Sequence, residues 1–132
     1  MSTQEAVTIL MIEDDDGHAR LIERNVRRAG VNNAFLRFGA GAPALAYLFD
    51  SGTDTHRRSG APYLILLDLN LPDMSGVDIL ARIKADPRTH RIPVVVLTTT
   101  DDKIEIQRCY DLGCNVYVTK PMNYDDFANA IR

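Results

Sequence analysis

Glu13, Asp14, Asp68, Thr98 and Lys120 are the residues of this 132-residue chain whose side chains could act in concert. Each stands just past a short apolar run. Val7 to Ile12 leads into Glu13, Asp14, Asp15 and Asp16, and Leu64-Ile65-Leu66-Leu67 leads into Asp68. Val94 to Leu97 leads into Thr98, Thr99 and Thr100, and Val116 to Val118 leads into Lys120 and Pro121. Carboxylates gathered in one cleft repel one another unless something neutralises them. A divalent cation is the simplest neutraliser, and hard oxygen ligands without Cys or His suit Mg2+, which takes few protein ligands and keeps several waters. With the cation on one oxygen of Asp68, the other is free to act as a nucleophile toward a phosphoryl group. That chemistry asks mainly for charge neutralisation and in-line positioning, to which Lys120 brings a compact cation and Thr98 a hydroxyl donor. Singly, each residue has an ordinary explanation, since a Lys before Pro is usually a surface residue and a Thr at a strand end often caps a helix. Their joint placement carries the reading. Asp15 and Asp16 read instead as helix-capping or solvated acids.

The elements that must position these groups follow from the pattern of apolar residues. Val7 to Ile12, Tyr63 to Leu67, Val94 to Leu97 and Val116 to Val118 read as strands buried on both faces, and Ala34 to Phe38 as a weaker one. Ala19, Ile22, Val26 and Ala29 recur at helical spacing until Gly30, which defines an amphipathic first helix. Further helices fit Ala42 to Phe49, Val77 to Lys84, Ile104 to Leu112 and Tyr124 to Ile131. Ser75 with Asp78 matches a capping box, and Pro43 suits a first helical turn. Strands alternating with helices make an open α/β sheet with right-handed crossovers, whose ligands bind beyond the carboxyl ends of the strands. All the residues singled out above then converge on one edge. The polar segment from Asp50 to Pro62, with His56, Arg57 and Arg58 at its tip, is oversized for a connection in such a fold.

Length and composition narrow the field further. A chain of this size with 45% hydrophobic residues builds one core without disulfides or a structural metal. A formal net charge of −3 gives no electrostatic footprint for nucleic acid or an anionic membrane surface. No secretory leader or membrane span is legible, so a cytoplasmic protein is expected. Cys109 and Cys114 lack partners at metal-ligand spacing and read as two reduced thiols without a chemical role.

These residues resemble the receiver domain of two-component response regulators. The resemblance rests on Ile12-Glu13-Asp14-Asp15, on Leu67 through Gly76, on Pro93 through Thr98, and on Tyr117-Val118-Thr119-Lys120-Pro121. It implies a flavodoxin-like doubly wound sandwich of five parallel strands in the order 2-1-3-4-5. It makes Asp68 the phosphoacceptor, Asp14 a direct Mg2+ ligand, Glu13 a ligand acting largely through water, and Asn70 a donor of its backbone carbonyl to the metal. Lys120 and Thr98, with the backbone N–H of Thr99, would hold phosphoryl oxygens. Tyr117 would be the switch aromatic that moves inward with Thr98; without the resemblance it reads as a half-buried edge-strand tyrosine. The bond from Lys120 to Pro121 is expected to be cis.

A narrower resemblance, to single-domain regulators paired with bacterial phytochrome histidine kinases, lies in residues 18–23, in residues 98–102 and in residues 109–115, together with the enlarged 50–62 segment. It implies a light-regulated histidine kinase as phosphodonor and a homodimer. The whole of 1–132 is thereby read as one receiver domain with no output domain, signalling by protein contact or phosphorelay. The last helix looks clipped by a turn or more, and a dimer-forming extension is expected if the natural chain continues. Among alternatives, a haloacid-dehalogenase-type phosphatase needs a second Asp two residues after its nucleophile, where this chain has Asn70. A flavin-binding module needs a phosphate loop where this chain has four acids, Glu13 to Asp16. A receiver-like module that binds a partner without phosphorylation is disfavoured by the intact acid, Thr and Lys set.

Overall fold

The computed structural model describes residues 7–49, 63–98 and 102–119, Thr119 by its backbone only. The 50–62 segment, the helix expected at Tyr124 to Ile131, and Thr99, Thr100, Lys120 and Pro121 lie outside the described residues.

The Val/Ile/Leu runs form β1 (Thr8–Ile12), β2 (Phe35–Phe38), β3 (Tyr63–Asp68), β4 (Val94–Thr98) and β5 (Val116–Thr119). They pair in parallel in the order β2-β1-β3-β4-β5, the flavodoxin-like arrangement. The helices are α1 (Asp16–Arg28), α2 (Gly41–Phe49), α3 (Gly76–Ala85) and α4 (Lys103–Leu112). Alternation along each strand divides the core in two. Leu10, Ile12, Ile65, Leu67, Val94 and Val96 face α2, α3 and α4, where they meet Leu48, Leu80, Ile83 and Cys109. Ile9, Met11, Leu66, Val95 and Leu97 face α1 and meet Ala19, Ile22 and Val26. Burial on both faces explains why β1, β3 and β4 are continuous apolar runs.

Two boundaries matter for the site. Asp68 and Thr98 are the last residues of β3 and β4 rather than the first residues past them, because the ladder continues to Asp68 opposite Leu97 and Thr98 opposite Thr119. Both are therefore fixed by sheet hydrogen bonds.

The helix ends show two further differences. Asn25 shares the buried face of α1, and Ala29 is its C-cap. Ser75 caps α3 by accepting from Val77 N at 3.2 Å, whereas the N–H of Asp78 goes to the Ser75 carbonyl. Asp78 stays exposed in the first turn, so the Ser75 cap works through the second helical N–H rather than the third.

Both α1 and α4 stop where a glycine takes positive φ, 89° at Gly30 and 107° at Gly113. At α4, Cys114 N donates to Cys109 O and Gly113 N to Tyr110 O, each at 3.0 Å, the paired bonds of a Schellman motif. That motif wants an apolar contact between the two residues joined by its longer bond, and here they are Cys109 and Cys114. Both are buried and reduced. Burial pushes the Cys114 thiol up to about 11, with Cys109 adding to the shift and Lys84 opposing it.

Candidate functional site

The chain leaves β1 at Ile12, and Glu13 remains tied to the sheet by its N–H to Phe38 O at 3.0 Å. Glu13 is only 1% exposed, and Asp68 only 4%. Asp14, one residue on, is exposed. Oxygen atoms of Glu13, Asp14 and Asp68 all lie within 4.8 Å of one another. Two unit charges about 5 Å apart repel by about 3 kcal/mol at an effective dielectric near 20. Three carboxylates so placed, two of them withdrawn from water, fit a divalent cation by donor type and spacing. The two neighbouring acids are used differently. Asp15 is the N-cap of α1, accepting from His18 N at 2.9 Å, and Asp16 pairs with Arg37 at 2.7 Å. Asp15, with its N–H to Glu13 Oε2 at 3.2 Å, also holds the Glu13 carboxylate.

The segment between β3 and α3 forms the facing wall. Asp68 Oδ1 accepts from Asn70 N at 3.2 Å, and Asn70 Nδ2 donates to Thr98 Oγ1 at 3.2 Å. Asn70 thus links the acid at the end of β3 to the buried hydroxyl at the end of β4. The segment closes on itself through a bridge between Asn70 and Ser75 and a 3.0 Å bond from Gly76 N to Leu69 O. This approach requires glycine: a Cβ on Gly76 would stand 2.5 Å from Leu69 Cα and 2.6 Å from Asp68 O. Asp73 anchors the other side, accepting from Gly41 N and Ala42 N at 2.8 Å each. Those two bonds, to the first N–H groups of α2, hold its carboxyl below the usual range. The resulting open cleft, of about 600 Å³, is lined by Asp14, Asn70, Asp73, Ser75 and, from α4, Glu105.

Of the residues picked out in the sequence, Glu13, Asp14, Asp68, Asn70 and Thr98 come together at this edge. Lys120 and Thr99 lie outside the described residues. Tyr117 is half-buried on β5, the edge strand, and packs on the larger core cluster. Burial raises its pKa first, followed by the negative field of Glu105 and then of Cys109, Asp102 and Cys114. Sequence reasoning passed over Arg37 and Asp73. Arg37 carried a signal, being the one charged residue within Phe35-Leu36-Arg37-Phe38. Asp73 had only its place in the Pro72-Asp73 turn, because its partners lie 31 and 32 residues away.

A flavodoxin-like sheet that carries a carboxylate trio at one strand edge, with a threonine ending the adjacent strand, has the plan of a receiver. The family model for the response regulator receiver domain matches residues 9–132, and the chain belongs to that family. Response regulator Rcp1 of Synechocystis sp. is 36% identical over 124 residues, 94% of this chain and 83% of Rcp1. A crystal structure of a response regulator receiver domain from Rhodospirillum rubrum is 64% identical with a TM-score of 0.83, covering 96% of this chain and 89% of that one. The phosphorylated cyanobacterial phytochrome response regulator RcpA is 37% identical with a TM-score of 0.77, over 93% and 86%. An Mn2+-bound form of Rcp1 is 34% identical with a TM-score of 0.75, over 93% and 87%. The protein is thus a receiver-domain response regulator close to phytochrome response regulators, in a family of signalling modules rather than enzymes. No helix among the described residues is long and apolar enough to cross a membrane.

Proposed function

We propose that this receiver takes a phosphoryl group on Asp68 from the histidine of a sensor kinase of the bacterial phytochrome type, in the cytoplasm and with Mg2+. The observation that carries the reading is the meeting of buried Asp68 with Glu13 and Asp14 inside 4.8 Å, beside Thr98. RcpA in its phosphorylated form and Rcp1 with Mn2+ support both halves by analogy. Asp14 and Asp68 would hold the cation directly, Glu13 would act largely through water, and Asn70 would offer its backbone carbonyl. Mg2+ held there would supply charge neutralisation for the incoming phosphoryl group.

An Asp68 carboxylate oxygen attacks phosphorus, the P–N bond to the donor imidazole breaks, and the electron pair stays with that nitrogen. The product is an aspartyl phosphate. Thr98, the N–H of Thr99 and Lys120 receive its oxygens. The new charge draws Thr98 toward it, breaking or stretching the bond from Asn70, and Tyr117 follows inward. This shifts a pre-existing equilibrium between two states. The signal leaves through protein contact, including a homodimer, or through phosphorelay. Asn70, whose amide donates to Thr98, argues against the phosphatase alternative, which needs an acid at that position.

The test is incubation with Mg2+ and acetyl phosphate, followed by mass spectrometry. Wild type should gain a labile phosphoryl adduct that chelation of the metal prevents, and Asp68→Asn should gain none. An unmodified wild type, or an equal adduct on Asp68→Asn, overturns the assignment. Lys120→Ala should retain Mg2+ binding yet accumulate little adduct. For the partner, transfer from a phytochrome kinase should outpace transfer from an unrelated histidine kinase, and equal rates remove that part.

A further inference from the structure

Arg37 is the only charged residue of β2, and it reaches from the sheet edge to the segment that carries the acids. Its Nε donates to the backbone carbonyl of Glu13 at 3.0 Å, and its Nη1 to Asp16 Oδ1 at 2.7 Å. One guanidinium thus clamps both ends of the turn 13–16, within which Asp14 makes no sheet hydrogen bond to the described residues. The Glu13 carbonyl belongs to the peptide bond that joins Glu13 to Asp14. Holding that peptide sets the direction in which the Asp14 carboxylate leaves the backbone, while the Asp16 contact fixes the far end of the turn.

We infer that Arg37 is a positioning residue for the cation site, acting through the Glu13–Asp14 peptide rather than through its charge. The inference rests on the proposed cation site. Its sign separates it from simple electrostatics. A nearby positive charge repels a cation, so on charge alone Arg37→Ala should bind Mg2+ more tightly. Positioning requires the opposite, since removing a group that orients metal ligands typically weakens affinity by about tenfold or more.

The experiment is calorimetric titration of the purified protein with Mg2+, with unfolding of the metal-free protein followed in parallel. Arg37→Ala should bind Mg2+ about tenfold more weakly than wild type at a temperature where its far-ultraviolet circular dichroism is native. Arg37→Lys, which keeps the charge but offers one donor nitrogen in place of Nε and Nη1, should fall between the two. The double variant Arg37→Ala with Asp16→Asn restores the net charge of the wild type and should remain as weak as Arg37→Ala. Unchanged or tighter binding in Arg37→Ala, or recovery of wild-type affinity in the double variant, overturns the proposal. Should wild type itself fail to bind Mg2+, the cation reading falls and takes this one with it, a result distinguishable from the others.

Discussion

The two rims of the sheet solve opposite electrostatic problems. Helices α1 to α4 begin at the carboxyl rim, where unpaired N–H groups present partial positive charge, and they end at the amino rim, where carbonyls present the reverse. The side chains sort accordingly. At the carboxyl rim Asp15, Asp73, Ser75 and Asp102 accept from the first N–H groups of the four helices. At the amino rim Lys84 donates to His90 O and Ile92 O, Arg27 to Val31 O and Asn33 O, and Thr89 to Ile83 O. Glycine turns and apolar pairs finish the α1 and α4 ends there. The lesson lies in what the capping rule leaves over. Asp15, Asp73 and Asp102 serve helix ends and Asp16 pairs with Arg37, whereas Glu13, Asp14 and Asp68 face one another. Helix capping accounts for most acids of this rim; the mutually facing trio is what capping does not explain, and it is the feature on which the proposed cation site rests.

The largest test of this contrast is at the carboxyl rim, where close backbone approach rather than capping sets the acid. Gly76→Ala should cost about 3 kcal/mol, because its Cβ meets backbone that cannot rotate away. Urea unfolding measures it. The same substitution displaces Asp68 O and so should depress phosphorylation by acetyl phosphate in the protein that remains folded. A loss below about 1 kcal/mol would show that the 69–75 segment yields easily and does not rigidly support the site.

At the amino rim the prediction concerns alkaline pH. The Cys114 thiol, ordinarily ionising near 9.0, is held to about 11 in the folded chain, mainly by burial. Its contribution is complete below pH 9.0, where both states hold the proton, and is lost as pH rises toward about 11. The loss attributable to this group is of order 2 kcal/mol. Lys84, whose pKa burial lowers and the Cys114 charge partly restores, runs the other way; Cys114→Ala removes that restoring charge, so Lys84 widens the difference between the two proteins in the same direction. Urea midpoints between pH 8 and 11 should therefore fall more steeply in wild type. Parallel curves would refute the buried-thiol account of the Schellman turn.

Smaller again is the cap of α4. Asp102→Ala removes the acceptor of Ile104 N and should cost about 1 kcal/mol, read as a lower thermal midpoint. Asp102→Asn, a comparable cap, should restore most of it.

The sequence made the sheet legible because strands buried on both faces leave unbroken apolar runs, and the strand-end rule then gathered Glu13, Asp14, Asp68 and Thr98 without coordinates. Helix limits were legible to within a residue or two where glycine ended them, as at Gly30 and Gly113. The contacts that brace the site were not. Arg37 to Glu13 spans 24 residues and Asp73 to Gly41 spans 32, and no local propensity encodes a side chain that bonds to backbone so far away. Asn70 was legible as a family position, but its side chain's bond to Thr98 depends on β3 and β4 being neighbours. Periodicity likewise omitted Asn25, a polar residue on the buried face of α1.

The smallest expected effect tests whether the long-range cap of α2 belongs with the ordinary ones. Two N–H groups of α2 lower the Asp73 pKa from its usual 3.8. A lowered carboxyl stabilises the fold above pH 3.8 and loses that contribution as pH falls through the folded value. Wild type should thus lose stability on acidification slightly more steeply than Asp73→Asn, whose amide oxygen still accepts but does not titrate. Differencing the two curves cancels every other carboxylate. Because Asp73 is open to water, which screens its charge and can replace it at the N–H groups, the difference should be smaller than that from Asp102→Ala. If instead Asp73→Asn matches wild type in stability at every pH but changes the phosphoryl lifetime, the contact serves to hold the 69–75 segment over the site, and the division between capping acids and functional acids must be redrawn at Asp73.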